Sequence, residues 1–170
     1  MNYFTGSSIH NSNVQYSFPD GNPKWPPSKY SLTYGYLPSL PSEAKAPVAR
    51  AFATWAKNTH FKFSQSNKAE SADLKISFEK REHGDQYPFN GPGGELAHGF
   101  YPTVGRLHYD AEESWSVGAK EGFYDLESVG LHEIGHLLGF GHSSLEGAAM
   151  YPISLKDDDL QGIKALYNLK

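Results

Sequence analysis

Eleven consecutive residues, His132 to His142, place three imidazoles, one carboxylate and a helix-ending glycine at the spacing of a metal-assisted hydrolase site. His132 and His136 stand four apart, so on a helix both side chains share one face with Cβ atoms about 5–6 Å apart. Two imidazoles at that separation reach a single ion through Zn–N bonds of about 2.0–2.1 Å. Glu133 lies one residue round, on the flank of the face, where it reaches a water on the metal without ligating the metal itself. Gly139 follows His136 by three residues, and glycine readily takes the left-handed conformation that ends a helix, so the chain should reverse and bring His142 back as a third nitrogen. Three protein ligands leave the fourth position open, as a catalytic zinc requires. The chemistry implied is hydrolysis through a zinc-activated water with Glu133 as general base.

A helix must carry this motif. Leu126, Val129, Ile134, Leu137 and Leu138 recur at helical intervals, and the run from Tyr124 has no Gly or Pro before Gly130. Isolated histidines usually serve packing or surface polarity, but here five specified positions stand in register. A serine nucleophile at Ser143 or Ser144 is disfavoured, because no Gly-x-Ser-x-Gly elbow occurs and the motif already assigns His142 to metal. A second cluster, His83, Asp85, His98 and His108, lies in a Gly-rich stretch, and four N/O ligands suit a tetrahedral structural zinc. The same stretch holds Asn90-Gly91-Pro92-Gly93-Gly94-Glu95 with Asp110 and Glu113 further on, and oxygen-rich, Gly-containing loops are what calcium prefers.

The long histidine motif followed by Ala148-Ala149-Met150-Tyr151-Pro152 resembles the metzincin metallopeptidases, in which a methionine-containing turn lies beneath the zinc; Met150 matches that residue. Lys24-Trp25-Pro26, Leu32-Thr33-Tyr34, His83-Gly84-Asp85 through Leu96-Ala97-His98, Asp125 to Val129 and His142-Ser143-Ser144 narrow the likeness. Over residues 22 to 168 the chain resembles the matrixins, the matrix metalloproteinase catalytic domains, and most of all the plant ones.

This resemblance implies a zinc metalloendopeptidase that cuts extended polypeptides, with proteinaceous inhibitors as further partners. It implies structural zinc on His83, Asp85, His98 and His108. It implies calcium on the Asn90 side chain, the Gly91, Gly93 and Glu95 carbonyls, and the Asp110 and Glu113 carboxylates. Asn90 stands where the family usually has Asp, which removes one formal charge. A second calcium site common in the family is not expected, since the 101–107 loop is short and carries Arg106. Gly94, Glu95, Leu96 and Ala97 match an edge strand that pairs with substrate, and Ser128, Val129, Pro152, Ile153 and Ser154 match the wall of the main specificity pocket. Other metzincins, such as astacins and adamalysins, differ in their structural metals, and a non-catalytic peptide-binding module would have no use for Glu133.

At 170 residues the chain suits one well-buried domain, read as residues 22–170 preceded by an arm over 1–21. Net charge −4 without a basic run argues against nucleic acid or an anionic membrane as partner, and the absence of cysteine excludes disulfides. No apolar run approaches the ~20 residues that span a bilayer. The N-terminus lacks a secretory-signal layout, so the expectation is an extracellular, monomeric mature segment of a secreted precursor that is tethered to the membrane only if the full-length protein carries an anchor.

The expected fold is α+β. It is a twisted mixed five-stranded sheet on two helices, with a smaller C-terminal subdomain holding the Met-turn and a third helix. Strands are predicted over Tyr30–Tyr36, Phe61–Gln65, Asp73–Glu79, Glu95–Tyr101 and Arg106–Tyr109, with polar residues 1 to 29 loosely held. Ala44, Val48, Ala51, Phe52 and Trp55 predict a helix from about Ser42, and Pro47 demands either a later start or a distorted first turn. Asp157 caps the last helix, with Leu160, Ile163, Leu166 and Tyr167 as its apolar stripe.

Overall fold

The computed structural model describes residues 16–151. Five β-prone runs join one mixed sheet: β1 (Ser31–Tyr36), β2 (Lys62–Gln65), β3 (Leu74–Glu79), β4 (Ala97–Gly99) and β5 (Arg106–Asp110). Their order is β2-β1-β3-β5-β4, with β1, β2, β3 and β5 parallel and β4 antiparallel to β5 at the sheet edge. Parallel neighbours need a crossover, and α1 (Ser42–Asn58) supplies the one between β1 and β2. Ala44, Val48, Ala51 and Phe52 form its buried stripe, and Phe52 stacks on Tyr34 of β1 at 4.3 Å.

The helix begins at Ser42, with Pro41 at the cap position, and runs through Pro47. Pro47 has no N–H for the carbonyl of Glu43, but its ring is fully buried, so packing offsets the missing bond. β3 departs from simple alternation. Leu74, Ile76 and Phe78 are buried as predicted, but Ser77 is buried too, in register with buried His108 of β5, while Lys75 and Glu79 on the same face stay half-buried.

After β5, two short strands, β6 (Trp115–Ser116) and β7 (Tyr124–Asp125), pair in parallel and deliver the chain to α2 (Leu126–Leu137). Nothing in the hydrophobic pattern announced this ladder. α2 packs on α1 and the sheet through fully buried Leu126, Ile134 and Leu137, each a side chain whose burial stabilises by about 1.5–3 kcal/mol. Two indoles fix it: Trp55 Nε1 donates to Leu131 O and Trp25 Nε1 to Leu137 O, both at 2.8 Å. The second bond satisfies a carbonyl that a helix end leaves unpaired. Residues 16–25 are therefore not loosely held, and Trp25 is part of the core.

The five-stranded mixed sheet and two helices match the expected α+β arrangement. The expected helix from Asp157, and with it most of the C-terminal subdomain, lies outside the described residues. Among the described residues, no helix is long and apolar enough to cross a membrane.

Candidate active site and metal centres

Asp125 starts α2. Its Oδ2 accepts the Ser128 N–H at 3.0 Å and the Ser128 hydroxyl at 2.7 Å, and its Oδ1 accepts the Gly118 N–H at 2.7 Å. This is an N-cap satisfying donors that the first turn leaves free. At the other end, the N–H groups of Gly139 and Phe140 donate to His136 O at 2.9 Å and Gly135 O at 3.0 Å. That double closure needs a left-handed residue at its hinge, and Gly139 has φ +100° with the Pro23 carbonyl filling the space a Cβ would need.

The reversal brings the three histidines together, with ring centroids 4.8 Å apart for His132 and His136, 5.2 Å for His132 and His142, and 5.0 Å for His136 and His142. One ligand atom from each lies within 4.8 Å of the others. Nδ1 of His132 donates to Ala149 O, and Nδ1 of His136 to Phe140 O, both at 2.8 Å. A carbonyl oxygen only accepts, so both Nδ1 atoms carry the proton and both Nε2 atoms offer a lone pair. Burial, helped by His136, holds the pKa of His132 down to about 3; burial holds His136 down to about 4 and lowers His142 as well. Neutral imidazoles with committed Nδ1 protons are the form in which histidine takes a divalent metal.

Glu133 is 7% exposed, and Gly99 of β4 lies against its backbone carbonyl and donates its N–H to the carboxylate. Burial, then the negative charge of Glu95, pushes its pKa well above the usual carboxylate value, against the Gly99 hydrogen bond. Met150 is buried with its sulfur against Gly135, where no side chain would fit, and Met150 O accepts the Ser143 N–H at 2.6 Å. The His142 carbonyl accepts from both the Ser17 N–H (3.0 Å) and the Ser17 hydroxyl (2.7 Å), and Tyr16 bridges Ser143 in antiparallel fashion.

The second cluster converges more tightly. Asp85 Oδ2 lies 2.8 Å from His83 Nε2, 2.8 Å from His98 Nε2 and 2.9 Å from His108 Nδ1. The nitrogens of His98 approach those of His83 and His108 at 3.4 and 3.2 Å. A tetrahedron of zinc ligands has edges of about 3.3 Å, so this donor set fits a tetrahedral ion. Tyr87 N–H and His98 outweigh the effect of burial and bring the Asp85 pKa down to about 2. Burial holds His98 to about 4 and lowers His108. His83 Nδ1 donates to Arg81 O at 2.7 Å, which fixes its orientation.

Some of the residues expected to hold calcium are in contact. The N–H of Gly93 donates to Glu113 Oε1 at 2.6 Å, and Asn90 Oδ1 folds back toward Gly94 and the Glu95 N–H. Asp110 is fully buried; its Oδ1 accepts the Glu112 N–H at 2.8 Å, and its Oδ2 has no hydrogen-bond partner. An orphaned buried carboxylate oxygen fits a cation.

Of the residues expected to meet substrate, Ala97 opens β4, Leu96 O accepts the Asp110 N–H at 2.8 Å, and Gly94 and Glu95 lead into the strand. Ser128 spends its hydroxyl on the cap, and Val129 is buried in the core. Pro152, Ile153 and Ser154 lie outside the described residues. Sequence reasoning missed Tyr101, whose ring stands edge-on to His136 at 5.6 Å. Tyr101 lies in the turn after β4, beyond the strand period, so no local pattern announced it.

The matrixin family profile matches residues 24–168. The chain is 42% identical to Metalloendoproteinase 1 of Glycine max over 91% of its length and 56% of that protein. It is 42% identical to Metalloendoproteinase 5-MMP of Arabidopsis thaliana over 95% of its length and 50% of that protein, and 41% identical to human neutrophil collagenase over 88% and 34%. It thus spans about half the length of the plant relatives. Since the matched stretch takes in both histidine clusters, the sheet and α2, the chain belongs to the matrixin family.

Proposed function

We propose that the chain is a zinc-dependent endopeptidase for extended polypeptides, with His132, His136 and His142 as zinc ligands and Glu133 as general base. The observation that carries this reading is the meeting of three neutral imidazoles, two with their Nδ1 protons committed to carbonyls, beside one buried carboxylate. Zinc held there supplies Lewis acidity that brings the pKa of water down to about 7. Glu133 accepts the proton of the attacking water and returns it to the amine nitrogen as the C–N bond breaks. Its burial raises its proton affinity, and the Gly99 N–H orients its carboxylate.

β4 is the sheet's edge strand, so an extended substrate can add beside Gly94 to Ala97 through main-chain hydrogen bonds. The pocket for the residue after the cut is assigned, by family resemblance alone, to Ser128 and Val129 together with Pro152, Ile153 and Ser154, the last three outside the described residues. His83, Asp85, His98 and His108 hold structural zinc, and Asn90, Gly91, Gly93, Glu95, Asp110 and Glu113 hold calcium. The working compartment is extracellular, as is general for relatives of this family.

The test pairs turnover with metal analysis. The parent should cleave a quenched peptide carrying Leu after the scissile bond, hold about two zinc ions per chain, and lose activity to a zinc chelator. Glu133→Ala should keep its zinc and lose about 100-fold or more in kcat. Near-parent turnover in that variant removes the base role, and a zinc-loaded parent that cuts no peptide removes the endopeptidase.

A further inference from the structure

Arg81 stands at φ +44°, a left-handed conformation that a long side chain rarely adopts. The surroundings show what holds it there. Its carbonyl accepts the Phe89 N–H at 3.1 Å as well as His83 Nδ1 at 2.7 Å. Its guanidinium reaches the other way. Nη1 donates to the Asn90 carbonyl at 2.9 Å, Nη2 donates to Glu112 Oε1 at 3.3 Å and lies against the Cα of Gly91, and Nε sits 2.5 Å from Glu112 Oε2.

These partners are the two walls of the calcium cradle. Asn90 and Gly91 belong to the oxygen-rich turn, and Glu112 lies between Asp110 and Glu113. A guanidinium that gives Glu112 one hydrogen bond and a second close ion contact, and the Asn90 carbonyl another bond, therefore joins the same segments a calcium ion would join. Asn90, in turn, gives the cradle a neutral amide where a carboxylate would have added negative charge.

We propose that Arg81 is a built-in cation that braces this loop and trades off against calcium: it holds the cradle together without the ion and weakens the ion's binding when present. The inference rests on the calcium reading above and adds the residue that sets how much calcium the fold needs. Arg81 acts on the cradle in two ways. Its bonds order the loop when calcium is absent, which supplies the calcium-free stability and by itself lowers the ordering cost of binding. Its positive charge acts the other way and prevails, opposing a second cation because calcium affinity follows the net charge of its surroundings. The Arg81 side chain is half-exposed, which screens both effects and keeps them modest.

The experiment uses the zinc-loaded chain dialysed into calcium-free buffer containing zinc, then titrated with calcium chloride. Calcium uptake is read by equilibrium dialysis and Tm by thermal melts, for the parent, Arg81→Gln and Arg81→Lys. Arg81→Gln should lower the calcium-free Tm by about 2–4 °C and bind calcium roughly fivefold to tenfold more tightly, so saturating calcium restores most of the lost Tm. Arg81→Lys keeps the charge and loses the fork. It should share the calcium-free loss while its calcium affinity stays near that of the parent. Equal calcium affinity in the parent and Arg81→Gln overturns the trade-off and leaves the calcium reading standing. An equal rise in affinity for Lys and Gln overturns the charge effect. If neither the parent nor a variant takes up calcium, the calcium reading fails and the trade-off falls with it.

Discussion

The His132, His136 and His142 triplet takes two ligands from one helix face and the third from the reversal behind it, and leaves that third residue exposed. The His83, Asp85, His98 and His108 cluster draws on a loop and two strands, and each of its side chains is at most 10% exposed. The contrast lies in the carboxylate. Asp85 sits at the centre of its cluster, within 2.9 Å of three imidazoles, so charge and coordination are closed inside the group. Glu133 follows His132 in the chain, is not among the three converging side chains, and is held by a backbone N–H of Gly99, an arrangement that suits the base role proposed above. On the proposed reading, a carboxylate among the histidines makes a staple, and one next to them makes a base.

Exchanging the two carboxylates for amides should separate these roles. Glu133→Gln is expected to reduce kcat by about 100- to 10,000-fold with zinc content and Tm unchanged, measured on one preparation by peptide cleavage, metal analysis and melting. A matching loss of zinc would erase the distinction drawn here. Asp85→Asn should instead cost about 3–5 kcal/mol of stability and about one of the two zinc ions. A variant with parental Tm in denaturant and thermal melts would mean that Asp85 holds nothing together.

Acid tests what the clusters share. In the metal-stripped protein burial keeps His132 near 3 and His136 and His98 near 4, against an ordinary 6.5. The unfolded chain therefore takes up protons first. The stability contributed by these neutral histidines is full above about 6.5 and is lost as pH falls toward 4, at up to about 1.4 kcal/mol per pH unit for each one. Melts of the chelated protein between pH 7.5 and 5 should slope accordingly, and a flat profile contradicts the burial argument. The smallest effect is expected at Asp125→Ala, which removes the α2 cap at a cost of about 1 kcal/mol; hydrogen exchange confined to the first turn of α2 would register it.

Legibility followed locality. The triplet and its helix could be read because their spacing is fixed within a single turn-and-reversal, and the four-ligand cluster because its residue types are rare in combination. α1 was visible from its stripe, although Pro47 made its start ambiguous; only the burial of the ring resolved it. What could not be read was carried by backbone atoms or by distant segments. The carbonyls of Ala149 and Phe140 that orient the histidines leave no trace in residue identity. The β6–β7 ladder has two residues a side, too few for a period. Arg81 has partners 9 and 31 positions away, beyond the reach of any local pattern.

The contact between Ser17 and His142 closes a loop of 125 residues. α2 can form from its own sequence within microseconds, but a pairing that distant pays its chain entropy only after the intervening sheet has collapsed. In a refolding experiment the helical signal should thus return before the third imidazole is seated, and regain of activity should trail regain of ellipticity. On this expectation Ser17 is the late-arriving keystone of a centre built around α2.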